Sequence, residues 1–192
     1  MKYLIVGLGN IGAEYSMTRH NIGFEVLDAL ATQLAGASNS VFVTERYGSL
    51  YQGRYKGREL LLLKPSTYMN LSGNAVRYWM QKEKIEPENL FVVVDDIALP
   101  FGTLRIRKSG SDGGHNGLKN INETLGHQNY NRLRCGVGGD FAKGAQVDYV
   151  LGKWNEKEQK ELPLVTEQAA KAVLSFTTVG IERTMNTFNT KK

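Results

Sequence analysis

At 192 residues and 41% hydrophobic content, the chain has enough apolar material for an ordinary core, and its single cysteine excludes a disulfide scaffold and fits a reducing cytosol. The formal charge of +5 is modest for a nucleic-acid binder, and three histidines spread over positions 20, 115 and 127, with one cysteine, show no metal-ligand spacing, so no metal site is expected. Tyr3-Leu4-Ile5-Val6 is too short for a signal peptide and no apolar run approaches the ~18 residues of a membrane span, so a soluble cytoplasmic protein is expected.

In chain order, Tyr3–Gly7 reads as a buried strand. Asn21–Leu34 reads as a helix, with Ile22, Val26, Leu27, Leu30 and Leu34 at helical spacing, and Ala35–Ser40 as a small-residue loop. Tyr47–Tyr55 and Arg58–Leu63, separated by Lys56-Gly57, predict a hairpin. A second helix starts near Leu71 or Ser72 and runs through Val76, Trp79 and Met80, ahead of a connection at Pro87. Leu90–Val94 is a β-branched-rich strand ending at Asp95-Asp96, and Thr103–Lys108 alternates like a strand with one wet face. A third helix is predicted over Asn116–Leu125 and a strand over Arg132–Gly138. Two helical stretches fill Asn155 to the end, with Pro163 and Gly180 as punctuation. Strands alternating with helices predict an α/β fold: one domain over residues 1–192, its twisted, mixed and mostly parallel sheet flanked by helices on both faces.

Gly7-Leu8-Gly9-Asn10-Ile11-Gly12 matches the G-x-G-x-x-G dinucleotide fingerprint in letters only. That motif needs a helix beginning inside it and an acidic residue closing a second strand about 20 residues on. Here a polar stretch follows, and Asp28 falls within a helical pattern. The glycines are read instead as a sharp turn that leaves Asn10 facing a crevice.

Polar groups gather at the ends of the apolar runs, where loops of an open α/β sheet converge. His20 precedes the first long helix, whose N-terminus disfavours the charged imidazole and so favours a base near neutral pH. Asp95, ending a buried strand, is placed to orient that imidazole, while Asp96 reads as a turn cap. Asn10, Asn70 and Asn116 each offer an amide donor and acceptor, suited to gripping a peptide backbone or positioning a water. His115, among glycines, reads as structural, and Cys135 as a buried thiol. No G-x-S-x-G supports a serine nucleophile, so a base acting on water remains. Between Pro100 and Cys135 six basic residues, Arg105, Arg107, Lys108, Lys119, Arg132 and Arg134, face two acidic ones, either a solvated face or a phosphate-binding rim.

Four blocks together resemble the bacterial peptidyl-tRNA hydrolase family. They are Gly7–Tyr15 with Thr18–Gly23, Lys64–Gly73, Val94-Asp95-Asp96 with Leu99-Pro100 and Gly102, and Gly113–Leu118. The resemblance implies hydrolysis of the ester between a peptide and the 3′ ribose of tRNA, by a monomer that needs no cofactor. It implies His20 as base, Asp95 as its partner, and Asn10, Met69, Asn70 and Asn116 lining the peptide and water site, with Tyr15 close to the ester. Arg107 and Arg134 would fall near a basic rim for tRNA phosphates. The family usually has Pro where Ile11 stands, Ala98 replaces a common acidic residue, and Gly138-Gly139-Asp140-Phe141 lacks the usual basic-Pro pair. The alternatives are an RNA-binding protein of this fold without hydrolysis, or a Rossmann oxidoreductase.

Overall fold

The computed structural model describes residues 1–36 and 38–189. Its strands are β1 (Lys2–Gly7), β2 (Val43–Glu45), β3 (Gly48–Tyr55), β4 (Arg58–Pro65), β5 (Leu90–Asp96), β6 (Leu104–Arg107) and β7 (Asn131–Gly136). Its helices are α1 (Ile22–Ala35), α2 (Ser72–Glu83), α3 (Asn116–Leu125), α4 (Gln146–Val150), α5 (Glu156–Val179) and α6 (Ile181–Phe188). Ala37, inside the predicted Ala35–Ser40 loop, lies outside the described residues.

The strands form one mixed sheet in the order β2-β3-β4-β1-β5-β7-β6. The four central strands β4, β1, β5 and β7 are parallel, and the antiparallel pairings lie toward the two edges. Parallel strands must be covered on both faces, and the alternation of β1 accomplishes this. Tyr3 and Ile5 enter a core with α1 and α5, while Leu4 and Val6 enter another with Trp79 of α2 and Ile121 of α3. β1 and α1 touch backbone to backbone: a Cβ on Gly7 would lie 2.3 Å from the Gly23 carbonyl oxygen. Two of the fingerprint-like glycines therefore serve close packing near the turn, with Gly9 next to Phe24 and Asn21. The predicted hairpin forms, with Lys56 at φ 48° and Gly57 at φ 82°, the left-handed pair that matches strand twist.

Three differences from expectation have physical causes. Pro163 does not punctuate: α5 runs unbroken through it. A proline inside a helix costs roughly 3 kcal/mol. The stripe of Ala169, Ala170, Val173, Leu174 and Phe176 beyond it is buried, and each large apolar side chain so buried contributes about 1.5–3 kcal/mol, so packing wins. Gly180, at φ 91°, does separate α5 from α6. β2 and α4 went unpredicted because neither buries a residue, leaving no apolar period to read. No described helix is long and apolar enough to cross a membrane.

Candidate active site

The parallel strands β1 and β5 end side by side, delivering Leu8–Asn10 and Asp95-Asp96 to one rim of the sheet. Asn21, read from sequence only as a helix start, makes no cap. Its side chain turns back, accepting from the Asn10 N–H at 2.7 Å and donating to the Asn10 carbonyl at 2.9 Å. Asn10 is thus clamped by its backbone, which leaves its own amide to the crevice.

His20 sits in a single 3-10 turn, Arg19–Asn21, between that clamp and β5. Its Nδ1 lies 2.8 Å from Asp95 Oδ2. The other carboxylate oxygen, Oδ1, is 2.8 Å from His115 Nε2. His115 Nδ1 accepts the N–H groups of Gly117 and Leu118 at 3.1 and 3.4 Å, capping α3. Those two bonds occupy the Nδ1 lone pair, so the His115 proton resides on Nε2 and is donated to Asp95. The structural role expected of His115 is double: it caps α3 and also holds the buried Asp95 carboxylate. His20 then donates from Nδ1, which leaves the ring's lone pair on Nε2.

Folding brings His20, His115 and Asp95 together, with ligand-type atoms all within 4.8 Å of one another. The protons shared along both contacts lie where a metal ion would need lone pairs.

Burial alone would raise the Asp95 carboxyl, but the His115 and His20 groups hold it well below the usual carboxylate range. Burial alone would lower the His20 imidazole, and the charge and hydrogen bond of Asp95 more than reverse this. The direction for His20 is therefore upward, opposite to the helix-terminus expectation, because a contacting carboxylate outweighs a dipole end.

A cavity of about 220 Å³ opens on this pair, with Asn10, His20, Asp95, His115 and Asn116 on one side. Its far wall comes from Gln146, Val147, Val150 and Leu151, around the unpredicted α4. A second cavity of about 360 Å³ is lined by Asn70, Lys119, Asn120 and Glu123, with Asn116 as the wall common to both. Of the predicted residues, Asn10, His20, Asp95 and Asn116 come together in the first cavity, and Asn70 lies across Asn116 in the second. Met69 is buried beneath the first turn of α3, its sulfur 2.8 Å from where a Cβ on Gly117 would stand. Tyr15 is half-buried and lines neither cavity.

A family model described as peptidyl-tRNA hydrolase matches residues 4–192. The chain belongs to the peptidyl-tRNA hydrolase family. The peptidyl-tRNA hydrolase of Cytophaga hutchinsonii is 59% identical over 192 residues, covering 100% of both chains. That of Phocaeicola vulgatus is 60% identical over 191 residues, again covering 100% of both. The crystal structure of the Acinetobacter baumannii peptidyl-tRNA hydrolase superposes with a TM-score of 0.90 at 33% identity, covering 99% of this chain and 95% of that one.

Ile11 and Ala98, singled out in the sequence, both lie beside residues that line the cavity. Ile11 is 55% exposed beside Asn10. The Ala98 N–H donates to Asp96 Oδ1 at 2.8 Å, so Asp96 does cap a turn. Arg134 lines the His20 cavity, 3.6 Å from Asp96 and donating to the Ser111 carbonyl at 2.6 Å, whereas Arg107 is exposed at the end of β6. Register pairs Arg105 with Arg134 and Arg107 with Arg132, so four arginines share one face of the sheet. Directly opposed like charges destabilise a sheet, and of these four only Arg107 is exposed to solvent. Arg132 is fully buried, bonded to the carbonyls of Gly110, Gln128 and Tyr130 and stacked 4.2 Å from the Tyr130 ring centroid.

Proposed function

We propose that this chain cleaves the ester joining a peptide to the 3′ ribose of tRNA, releasing free tRNA and peptide. In this reading Nε2 of His20 takes a proton from a water positioned by Asn10, and Asp95 holds the resulting imidazolium. The water oxygen bonds to the ester carbonyl carbon, and amide N–H groups of the Asn side chains meet the oxyanion. The intermediate collapses as the ester C–O bond breaks, and the His20 proton passes to the departing ribose oxygen. Asn10, Asn116 and Asn70 grip the peptide amides, which a free aminoacyl ester lacks, and Met69 supports the loop that presents them. Tyr15 approaches the ester from the first block, and the arginine face, including Arg107 and Arg134, takes tRNA phosphates. The protein acts as a one-domain monomer in the cytoplasm, without a cofactor.

The observation that supports this reading is the buried Asp95 carboxylate bonded to two imidazoles, one of which borders a cavity. A protein that only bound RNA would have no chemical use for a base with an orienting partner. The test is peptide release from an N-acetyl-aminoacyl-tRNA by wild type and His20→Ala. General-base loss should lower turnover about 10²–10⁴-fold with the fold intact. Because Asp95 raises His20, the base form is gained above the ordinary histidine range, and kcat should climb with pH on that higher limb. Full activity of His20→Ala, or an inert wild type that still binds tRNA, would sink the mechanism.

A further inference from the structure

A third cavity, of about 310 Å³, lies behind the first block and touches the catalytic cavity through one residue, Asn10, which lines both. Its apolar walls are Ile11, Met17 and Phe24. Ile11 and Met17, on either side of the 3-10 turn Ala13–Tyr15, are 55% and 46% exposed, two large apolar side chains open to solvent at one cavity. Met17 also holds φ at 62°, a left-handed backbone that glycine or asparagine adopts with less strain. A strained conformation kept at a cavity mouth has a use for its side chain. Of the charged groups around the cavity, Lys64 is paired with Asp28 and lies 5.6 Å from the Phe24 ring centroid, while both Glu25 carboxylate oxygens are buried without a hydrogen-bond partner.

We propose that this cavity is a subsite for the second residue of the nascent peptide, counted from the ester, and that it selects an apolar side chain. The inference rests on the reaction proposed above. An extended peptide advances about 3.3–3.6 Å per residue with side chains on alternating sides. With the esterified residue in the catalytic cavity and its amide at Asn10, the next side chain falls across Asn10, where Ile11, Met17 and Phe24 stand. The volume is at the small end of ligand pockets, about 300 Å³, and suits one side chain rather than a longer segment.

The experiment compares kcat/KM on N-acetyl-Phe-tRNA, N-acetyl-Gly-Phe-tRNA, N-acetyl-Leu-Phe-tRNA and N-acetyl-Lys-Phe-tRNA, for wild type, Met17→Gly and Ile11→Ala. Wild type should favour Leu over Gly at the second position by roughly tenfold or more. Both variants should bring that ratio toward one while leaving N-acetyl-Phe-tRNA unchanged. Met17→Gly should also melt no lower than wild type, since glycine relieves the strained φ, which separates lost specificity from lost structure. If N-acetyl-Phe-tRNA is not cleaved, the reaction falls and the subsite with it. If it is cleaved but Leu and Gly react equally, Lys outruns Leu, or Met17→Gly keeps the ratio, the subsite alone is overturned.

Discussion

Glu25 shows how one residue sets a pH dependence unrelated to the chemistry. Burial pushes its carboxyl up to about 7, against an ordinary 4.5; the Trp154 indole opposes this and the Asp28 charge adds to it. Neither carboxylate oxygen nor Trp154 Nε1 attains hydrogen-bond geometry, so the indole relieves little of the burial. A carboxyl raised by folding makes the folded state bind more protons than the unfolded one between those two values. The Glu25 contribution to stability therefore falls as pH rises from 4.5 to 7 and stays lower above that, by about 3 kcal/mol. Glu25→Gln should raise Tm at pH 8 and leave it nearly unchanged at pH 4.5. Equal shifts at both pH values in thermal unfolding would refute this cause. At the same scale, His20 and Asp95 were readable in sequence because each ends or begins a clear element. His115 was hidden because what it does depends on a carboxylate twenty residues back that folding alone brings near. Asn21 was hidden for a similar reason: its amide turns away from the helix it begins.

The long strands and helices were legible because their burial imposes a period, whereas the piece that closes the crevice was not. α4 buries no residue fully, and beyond the packing of Tyr149 against the core it is held by a clasp. Arg19 stacks 4.2 Å from the Tyr149 ring centroid, donates to the Tyr149 carbonyl at 3.2 Å and to Glu158 at 3.1 Å, and its N–H meets the Gly152 carbonyl at 3.0 Å. Thr18 and Lys153 add a bridge between the same two segments. One residue thus joins the His20 turn to the opposite wall of the cavity and to the start of α5. Arg19→Ala should let that wall loosen, raising KM for N-acetyl-aminoacyl-tRNA by about tenfold, roughly the lower bound for one charged hydrogen bond, with a smaller change in kcat. Hydrogen exchange over residues 146–152 should quicken in parallel; unchanged exchange would remove the clasp from the explanation.

Across the whole molecule, the α/β class followed from the alternation of elements, but the strand order did not. Nothing local tells β7 to insert between β5 and β6, because that choice depends on pairing between segments far apart in sequence. The insertion matters to the site: it sets Arg132 and Arg134 against Arg107 and Arg105 and tethers the glycine-rich loop before α3 through the Gly110 and Ser111 carbonyls. It also leaves β6 as an outer strand. There the Asn189 side chain takes the Ile106 N–H at 2.6 Å and gives its own N–H to the Ile106 carbonyl at 3.1 Å. A single amide stands in for an eighth strand, occupying the backbone groups through which another molecule would attach. With Asn189→Ala the rim is uncovered, and light scattering should register self-association that grows with protein concentration while dilute samples keep their turnover. A residue remote from the chemistry would thus decide how crowded a solution this enzyme tolerates.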